Sequence, residues 1–349
     1  MRLSEDCSTS DKTVSYQREW DFQAVAFFSF SGTMAPSNRI SFEVRVPAST
    51  ANLGPGFDCL GLALDLHLAA RATVLPAESR TMARSRGVSG SSGLPTNPEQ
   101  NLILQAMSHA AKREGVNLPR VRLAVHNEIP IAGGLGSSAA AIIAGIALGY
   151  AVCGRELTEG AALSCATWLE SHVDNVGAAL LGQLVVSMVR GDGSVVALRK
   201  IWPKEIRVVA VTPEISLTTA ASRAALPKSV PHSDAVFNLQ RAALFLAALD
   251  ARRYDLLADA MQDRLHQFYR KDLIPGLAEV LAMPRVPGML GVALSGSGPT
   301  VVALATEHFN EIGKTLAEYF RHKGLNATVR NLAVAEHGMR LTEQHSRRN

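Results

Sequence analysis

Cysteine is scarce in this chain: Cys7, Cys59, Cys153 and Cys165 are the only four in 349 residues, and no two form a C-x-x-C pair. That spacing argues against a disulfide framework and, with no secretory signal in view, implies reduced thiols and a cytoplasmic setting. The ten histidines show no ligand spacing, which argues against a structural zinc site. Charge of one sign is lacking too. The net charge is +4, and the short basic groups Arg252-Arg253 and Arg347-Arg348 have no interleaved aromatics, so no nucleic-acid stripe is present. The early apolar run at residues 24–28 is too short for a membrane span or a secretory core. Neither a nucleic acid nor a membrane is an expected partner. No lysine lies between Glu128 and Gly154, which excludes a P-loop there. Gly133-Gly134-Leu135-Gly136 does not match the dinucleotide fingerprint either.

What is present suffices for a large core. A hydrophobic fraction of 47% and a charged fraction of 19% are ordinary for a globular protein, and the length suits two domains or one large one. Residues 1–38 mix acids and serines around Phe27-Phe28-Ser29-Phe30 without a sustained period and read as a poorly ordered extension. Their acids argue against a transit peptide, and Met34 is a candidate internal start. From Ile40 onward strands and helices are expected. Phe42, Val44 and Val46 alternate as in a strand ending at Pro47, and a second strand is expected over 64–74. Residues 79–98 read as an exposed loop. Helical spacing follows at 102–110, a strand at 121–125, an apolar helix at 138–152, and strands at 184–189 and 208–211. Residues 202–205 read as an inter-domain linker. The last third predicts helices at 235–249, 254–265 and 311–322, with strands at 291–294, 301–305 and 326–331. The order implies an α+β fold in two domains, α/β-like at its start, without internal repeats.

The run Pro130-Ile131-Ala132-Gly133-Gly134-Leu135-Gly136-Ser137-Ser138-Ala139-Ala140 is the most informative stretch. Glycines permit positive φ and close approach of the backbone to a ligand. A helix beginning at the serines would aim unpaired N–H groups and its positive dipole end into that loop, which suits a phosphate. A glycine turn with a plain serine N-cap is the alternative.

Two further segments frame that loop: Ser49-Thr50-Ala51-Asn52-Leu53-Gly54-Pro55-Gly56-Phe57-Asp58 before it and Leu294-Ser295-Gly296-Ser297-Gly298-Pro299-Thr300 after it. In this order and spacing the three resemble the signature motifs of the GHMP small-molecule kinases. Glu170-Ser171-His172-Val173-Asp174-Asn175-Val176, Asn238-Leu239-Gln240-Arg241 and Asp263-Arg264-Leu265-His266-Gln267-Phe268-Tyr269-Arg270 narrow the resemblance to the homoserine kinases of that superfamily. The resemblance implies an S5-like amino-terminal ATP-binding domain over 39–202, a ferredoxin-like carboxy-terminal domain over 203–340 and a polar tail at 341–349. It also implies phosphorylation of L-homoserine by ATP with Mg²⁺, and a homodimer as a family-level expectation.

By the same resemblance, residues 130–140 hold the triphosphate, Asn101 lies near the adenine, and Ser138 and Glu170 hold Mg²⁺. Arg223 and Arg270 bind the substrate carboxylate, and Asp58 and Asn52 take its ammonium end and acceptor arm. Thr219 assists the substrate pocket, with Thr218 as its alternative. Asn175 orients the acceptor hydroxyl while its proton leaves through the γ-phosphate or solvent; the alternative is the adjacent Asp174 as base, since helix neighbours diverge by about 100° and do not both face one hydroxyl. Departures from the family pattern fall at Val173, Gly177-Ala178 and Phe268, which touch backbone rigidity rather than charged groups. A kinase for an isoprenoid alcohol or a sugar, or a non-catalytic nucleotide-binding protein on the same scaffold, are the alternatives.

Overall fold

The computed structural model describes residues 39–87, 95, 97, 99–170 and 173–346. The expected extension at 1–38 lies outside them. The first half of the chain runs β1 (Arg39–Asn52), β2 (Gly56–Val74), β3 (Met82–Gly87), α1 (Leu102–Arg113), β4 (Val121–Asn127), α2 (Ser137–Val152), α3 (Glu159–Ala166), α4 (Val173–Leu181), β5 (Leu184–Val189) and β6 (Val195–Lys200). After a loop come β7 (Arg207–Pro213), α5 (Thr219–Ala224), α6 (His232–Asp250), α7 (Leu257–Ala260), α8 (Gln267–Arg270), α9 (Leu277–Leu281), β8 (Met289–Leu294), β9 (Val301–Ala305), α10 (Phe309–Arg321), β10 (Ala327–Leu332) and β11 (Arg340–Ser346).

Two sheets organise these elements. The first has seven strands among the described residues, in the order β11-β1-β2-β4-β3, with β5 on β2 and β6 on β5. The long β2 shares its far edge, pairing with β4 over Leu68 to Val74 and with β5 over Leu60 to Leu62. In β4, Val121, Leu123 and Val125 are buried and alternate with exposed residues, the period of a half-covered strand. Helices α1 to α4 cover the inner face. α2 is buried continuously from Ala139 to Tyr150 and has no polar face to offer water. Its Gly145 and Gly149, four apart and so on one face, admit α1, since a methyl at either would press on the backbone of Ile103 or Met107.

The second sheet is four-stranded and antiparallel, in the order β10-β7-β9-β8. Both of its faces are covered. Val209 and Val211 pack with Ile312, Leu316 and Phe320 of α10, while Val208 and Ala210 belong to the larger core that also takes Phe245, Ala248 and Leu249 of α6. Each of the large side chains among these contributes about 1.5–3 kcal/mol by leaving water.

Several sequence expectations are corrected. β1 does not end at Pro47 but continues to Asn52, because a register shift between Pro47 and Ala48 places the proline where the ladder is already interrupted. The expected loop at 79–98 contains β3, parallel to β4. The expected helix at 254–265 is a 3₁₀ turn at Tyr254–Leu256 and then α7, which stops at Ala260. The expected boundaries at 340 and 341 also move. Asp65 N–H donates to Ala333 O at 2.9 Å, Leu64 bridges Val334, and β11 then pairs antiparallel with β1. The chain therefore rejoins the first sheet directly after β10, and most of the expected polar tail is an edge strand. One face of an edge strand meets solvent, so its sequence carries few apolar residues. No helix among the described residues is long and apolar enough to cross a membrane.

Candidate active site

Three connections converge between the sheets: residues 53–55 after β1, the glycine loop before α2, and residues 295–300 between β8 and β9. The glycine loop is anchored through its carbonyls. Gly133 O accepts from Thr300 N at 3.3 Å, Gly134 O from Ser295 Oγ at 2.6 Å, and Leu135 O from Ser49 N at 3.1 Å. Ser295 Oγ also lies 2.8 Å from Thr50 Oγ1. Left-handed φ values recur at Ala132 (55°), Gly134 (78°) and Gly136 (70°), alternating with ordinary ones. Such alternation turns successive N–H groups into a concavity that suits an anion. Gly134 is confined as well, because a methyl there would meet the carbonyls of Ser295 and Gly298. α2 opens directly from this loop with Gly136 as its cap and no side-chain cap bond, so the serine-capped turn is not realised. Its first internal bond runs from Ala140 N to Gly136 O, which leaves the N–H groups before it without helical partners.

Beside the loop lies a charged cleft. Asn52 has φ 73° and uses both ends of its amide: Nδ2 donates to Gly296 O at 3.0 Å, and Oδ1 accepts from Asp58 N at 3.1 Å. Arg223 Nη2 donates to both oxygens of Asp58, at 2.7 and 2.9 Å. Arg270 is 2% exposed and donates from Nη1 to Gly296 O at 2.9 Å and from Nε to Ser222 O at 3.3 Å. Burial, reinforced by the nearby Arg223 charge, brings its guanidinium down to about 10. Both guanidinium carbons stand 5.5 Å from the centre of the Phe57 ring. The α5 cap is the Thr218 hydroxyl, which accepts from Ala221 N, whereas Thr219 Oγ1 lies 3.4 Å from Ser297 Oγ at the cleft.

The first turn of α4 closes the site. Asn175 Oδ1 accepts from Ser49 Oγ at 2.9 Å. Asp174 is 1% exposed, and its Oδ1 accepts from Asn175 N at 2.6 Å.

Comparisons with known proteins identify the family. GHMP kinases N terminal domain matches residues 101–183, and GHMP kinases C terminal matches residues 245–322. The chain is 38% identical to the homoserine kinase of Solibacter usitatus, over 86% of this chain and 97% of that one. It is 41% identical to the homoserine kinase of Moorella thermoacetica, over 84% of this chain and 98% of that one. The chain belongs to the homoserine kinase family of GHMP kinases. A crystal structure of homoserine kinase from Cytophaga hutchinsonii has the same fold, with a TM-score of 0.76 at 25% identity, covering 90% of this chain and 99% of that one.

Within this GHMP kinase, the remaining expected site residues fall as follows. Ser137 and Ser138 form the first turn of α2, and Ser138 is exposed. Glu170 lies in the turn between α3 and α4, with its N–H bonded to Ala166 O. Asn101 is a buried N-cap: Oδ1 accepts from Ile103 N and Leu104 N, and Nδ2 donates to Pro95 O. Sequence reasoning gave no role to Ser49, Phe57, Ser222, Asp263, His266 or Ser295, although most of them stood inside quoted motifs. The signal available for them was position within those motifs. The side-chain partners of Ser49, Phe57, Ser222 and Ser295 lie more than 40 residues away. His266 bonds both the distant Gly54 and the nearby Arg270, and Asp263 accepts from the backbone N–H groups of Leu265, His266 and Gln267 and from Asn238 Nδ2.

Proposed function

We propose that this homoserine kinase family member transfers the γ-phosphoryl group of ATP to the side-chain hydroxyl of L-homoserine, giving O-phospho-L-homoserine and ADP. The observation that carries the substrate is the pair of guanidiniums, Arg223 and Arg270, each 5.5 Å from the centre of the Phe57 ring, with Asp58 bonded to Arg223. A zwitterionic amino acid needs cations for its carboxylate and an anion for its ammonium, whereas a neutral sugar has neither charge and an isoprenoid alcohol such as mevalonate has no ammonium for the aspartate.

Phosphoryl transfer depends mainly on positioning and on neutralising charge at the phosphate oxygens. The N–H groups of residues 133–138, with the positive end of α2, take the triphosphate. The hydroxyl of Ser138 and the carboxylate of Glu170 would hold Mg²⁺, which neutralises phosphate charge when bound. A donor set of one hydroxyl and one carboxylate fits this ion, which keeps waters and phosphate oxygens as its other ligands. No cluster of three His, Cys, Asp or Glu residues among the described residues offers a rival metal site. Arg223 and Arg270 bind the carboxylate, Asp58 takes the ammonium, and Asn52 and Thr219 shape the acceptor arm. Asn175, with Oδ1 engaged by Ser49 and one Nδ2 hydrogen directed to Asp174 Oδ1 at 3.4 Å, has its other Nδ2 hydrogen for the acceptor oxygen. Asp174 is buried against the Asn175 backbone and holds that residue in place, and the hydroxyl proton leaves through the transferred phosphate or solvent. The oxygen–γ-phosphorus bond forms as the β,γ-bridging bond breaks, and ADP carries away the negative charge. A cytoplasmic setting and a homodimer accompany this reading.

ADP release with ATP, Mg²⁺ and L-homoserine tests it, with L-threonine, L-serine, mevalonate and galactose as comparison acceptors. ADP formed with homoserine alone, and lost on chelation of the metal, is the expected result. Turnover with mevalonate or galactose in place of homoserine would move the substrate, and ATP binding without any turnover would end the kinase reading.

A further inference from the structure

His266 lies fully buried in the segment between α7 and α8, with its two ring nitrogens bonded to different parts of the cleft. Nδ1 stands 3.1 Å from Arg270 Nη1, and Nε2 stands 2.8 Å from Gly54 O. A guanidinium only donates, so Nδ1 must accept and carries no hydrogen. A carbonyl only accepts, so Nε2 must donate and carries the hydrogen. These two partners determine both the tautomer and the neutral state. The ring is held flat against Phe57, with centroids 5.0 Å apart and planes inclined by 19°. Asp263 is buried 3.7 Å from Nε2 and bonded to the N–H groups of Leu265, His266 and Gln267. Arg270 in turn has Nε and Nη1 engaged by Ser222, Gly296 and His266, and its Nη2 makes no hydrogen bond among the described residues.

We propose that His266, as the neutral Nε2–H tautomer, is a positioning residue that locks Arg270 with its free Nη2 toward the substrate carboxylate and ties that arginine to the turn carrying Asn52 and Asp58. The imidazole spans the distance between Gly54 and Arg270, so the cation on α8 and the anion on β2 keep a set separation. The assignment of a carboxylate to Arg270 rests on the proposed function; the tautomer does not.

The test therefore has two arms. In full-length protein carrying ¹⁵N-histidine, with the His266→Gln variant used to assign the signal, long-range nitrogen–proton NMR reads the tautomer whatever the acceptor proves to be. Bare Nδ1 and protonated Nε2 at neutral pH are expected; protonated Nδ1 or a charged ring would overturn the proposal. In the second arm, kinetics separate the two bonds. His266→Gln places an amide nitrogen where Nε2 was and keeps the Gly54 bond, but removes the acceptor for Arg270. Its KM for L-homoserine rises about tenfold while KM for ATP stays within about twofold. His266→Asn places an amide oxygen where Nδ1 was, and brings KM for homoserine back to within about threefold of wild type. Equal KM values for the two variants, or a matching rise in KM for ATP, would reduce His266 to core filling. Urea midpoints establish that each variant is folded, and if His266→Gln is not, the NMR arm and the His266→Asn kinetics decide. A wild type that ignores homoserine would sink the functional reading and leave the tautomer assignment by NMR intact.

Discussion

Arg223 of α5 reaches across the cleft to Asp58 near the start of β2, and a single nitrogen, Nη2, serves both carboxylate oxygens, at 2.7 and 2.9 Å. The side chains are 36% and 39% exposed, so solvent screens the pair and it adds little to stability. Under the proposed function the pair is exchangeable: an incoming zwitterion would replace one internal ion pair by two, its carboxylate taking the arginine and its ammonium taking the aspartate.

Replacing Asp58 should therefore separate binding from folding. Asp58→Asn is expected to lower kcat/KM for L-homoserine about a hundredfold, the loss of one charge-assisted contact and the stranding of its partner. The urea midpoint should move by less than about 1 kcal/mol equivalent. Arg223→Lys should not preserve activity, because an ammonium lacks the planar fork. An unchanged KM in Asp58→Asn would remove this residue from the substrate site.

Gly134→Ala should damage the nucleotide site. At φ 78° any side chain is strained, and the added methyl faces the carbonyls of Ser295 and Gly298. We expect a stability loss of about 1–3 kcal/mol in urea titration, with weakened ATP binding by calorimetry. A variant that binds ATP as wild type does would show that the loop backbone does not hold the phosphates.

Asn101→Ala tests two roles at once. Removal of the α1 cap should cost about 0.5–2 kcal/mol of stability. A rise in KM for ATP beyond that seen with Asn101→Ser, which keeps a capping oxygen, is expected if Asn101 also lies near the adenine. Equal KM values for the two variants would leave it a cap only.

Stability should fall with acidification. Burial holds the His266 imidazole below its ordinary value, with Arg270 acting in the same direction and Asp263 against it. Below about pH 6.5 the unfolded chain takes up a proton that the folded state refuses, so unfolding becomes easier as pH drops toward the folded value. His67 and His109 are displaced in the same direction and share the effect. The measurement is the urea midpoint at pH 7.5 and 5.5 for wild type and His266→Asn. A smaller pH difference in the variant is expected, and an identical one would exclude His266 from the linkage.

Local regularity made much of the fold legible. The strands expected at 184–189 and 301–305 are β5 and β9 residue for residue, because each is a short apolar run bounded by turn formers. The glycine loop and α2 were equally plain, since three glycines followed by an alanine-rich run dictate both a special backbone and a helix. β11 escaped because Arg340–Ser346 is an edge strand whose partner, β1, lies some 300 residues earlier. The helix expected at 254–265 failed because the backbone there bends to wrap Asp263 and to meet Gly54, contacts with no trace in helical spacing.

The sequence by itself determined the kinds of chemistry available: a phosphate-compatible loop, two arginines and two aspartates in recognisable motifs, and a family that uses them. Tertiary structure alone decided their assignments. It buried Asp174 beneath the half-buried Asn175, paired Arg223 with Asp58, spent the Asn101 amide on a helix cap and set the tautomer of His266. Local spacing follows from the φ and ψ preferences of neighbouring residues. Burial, pairing and protonation depend on partners that only the folded chain brings within hydrogen-bond distance.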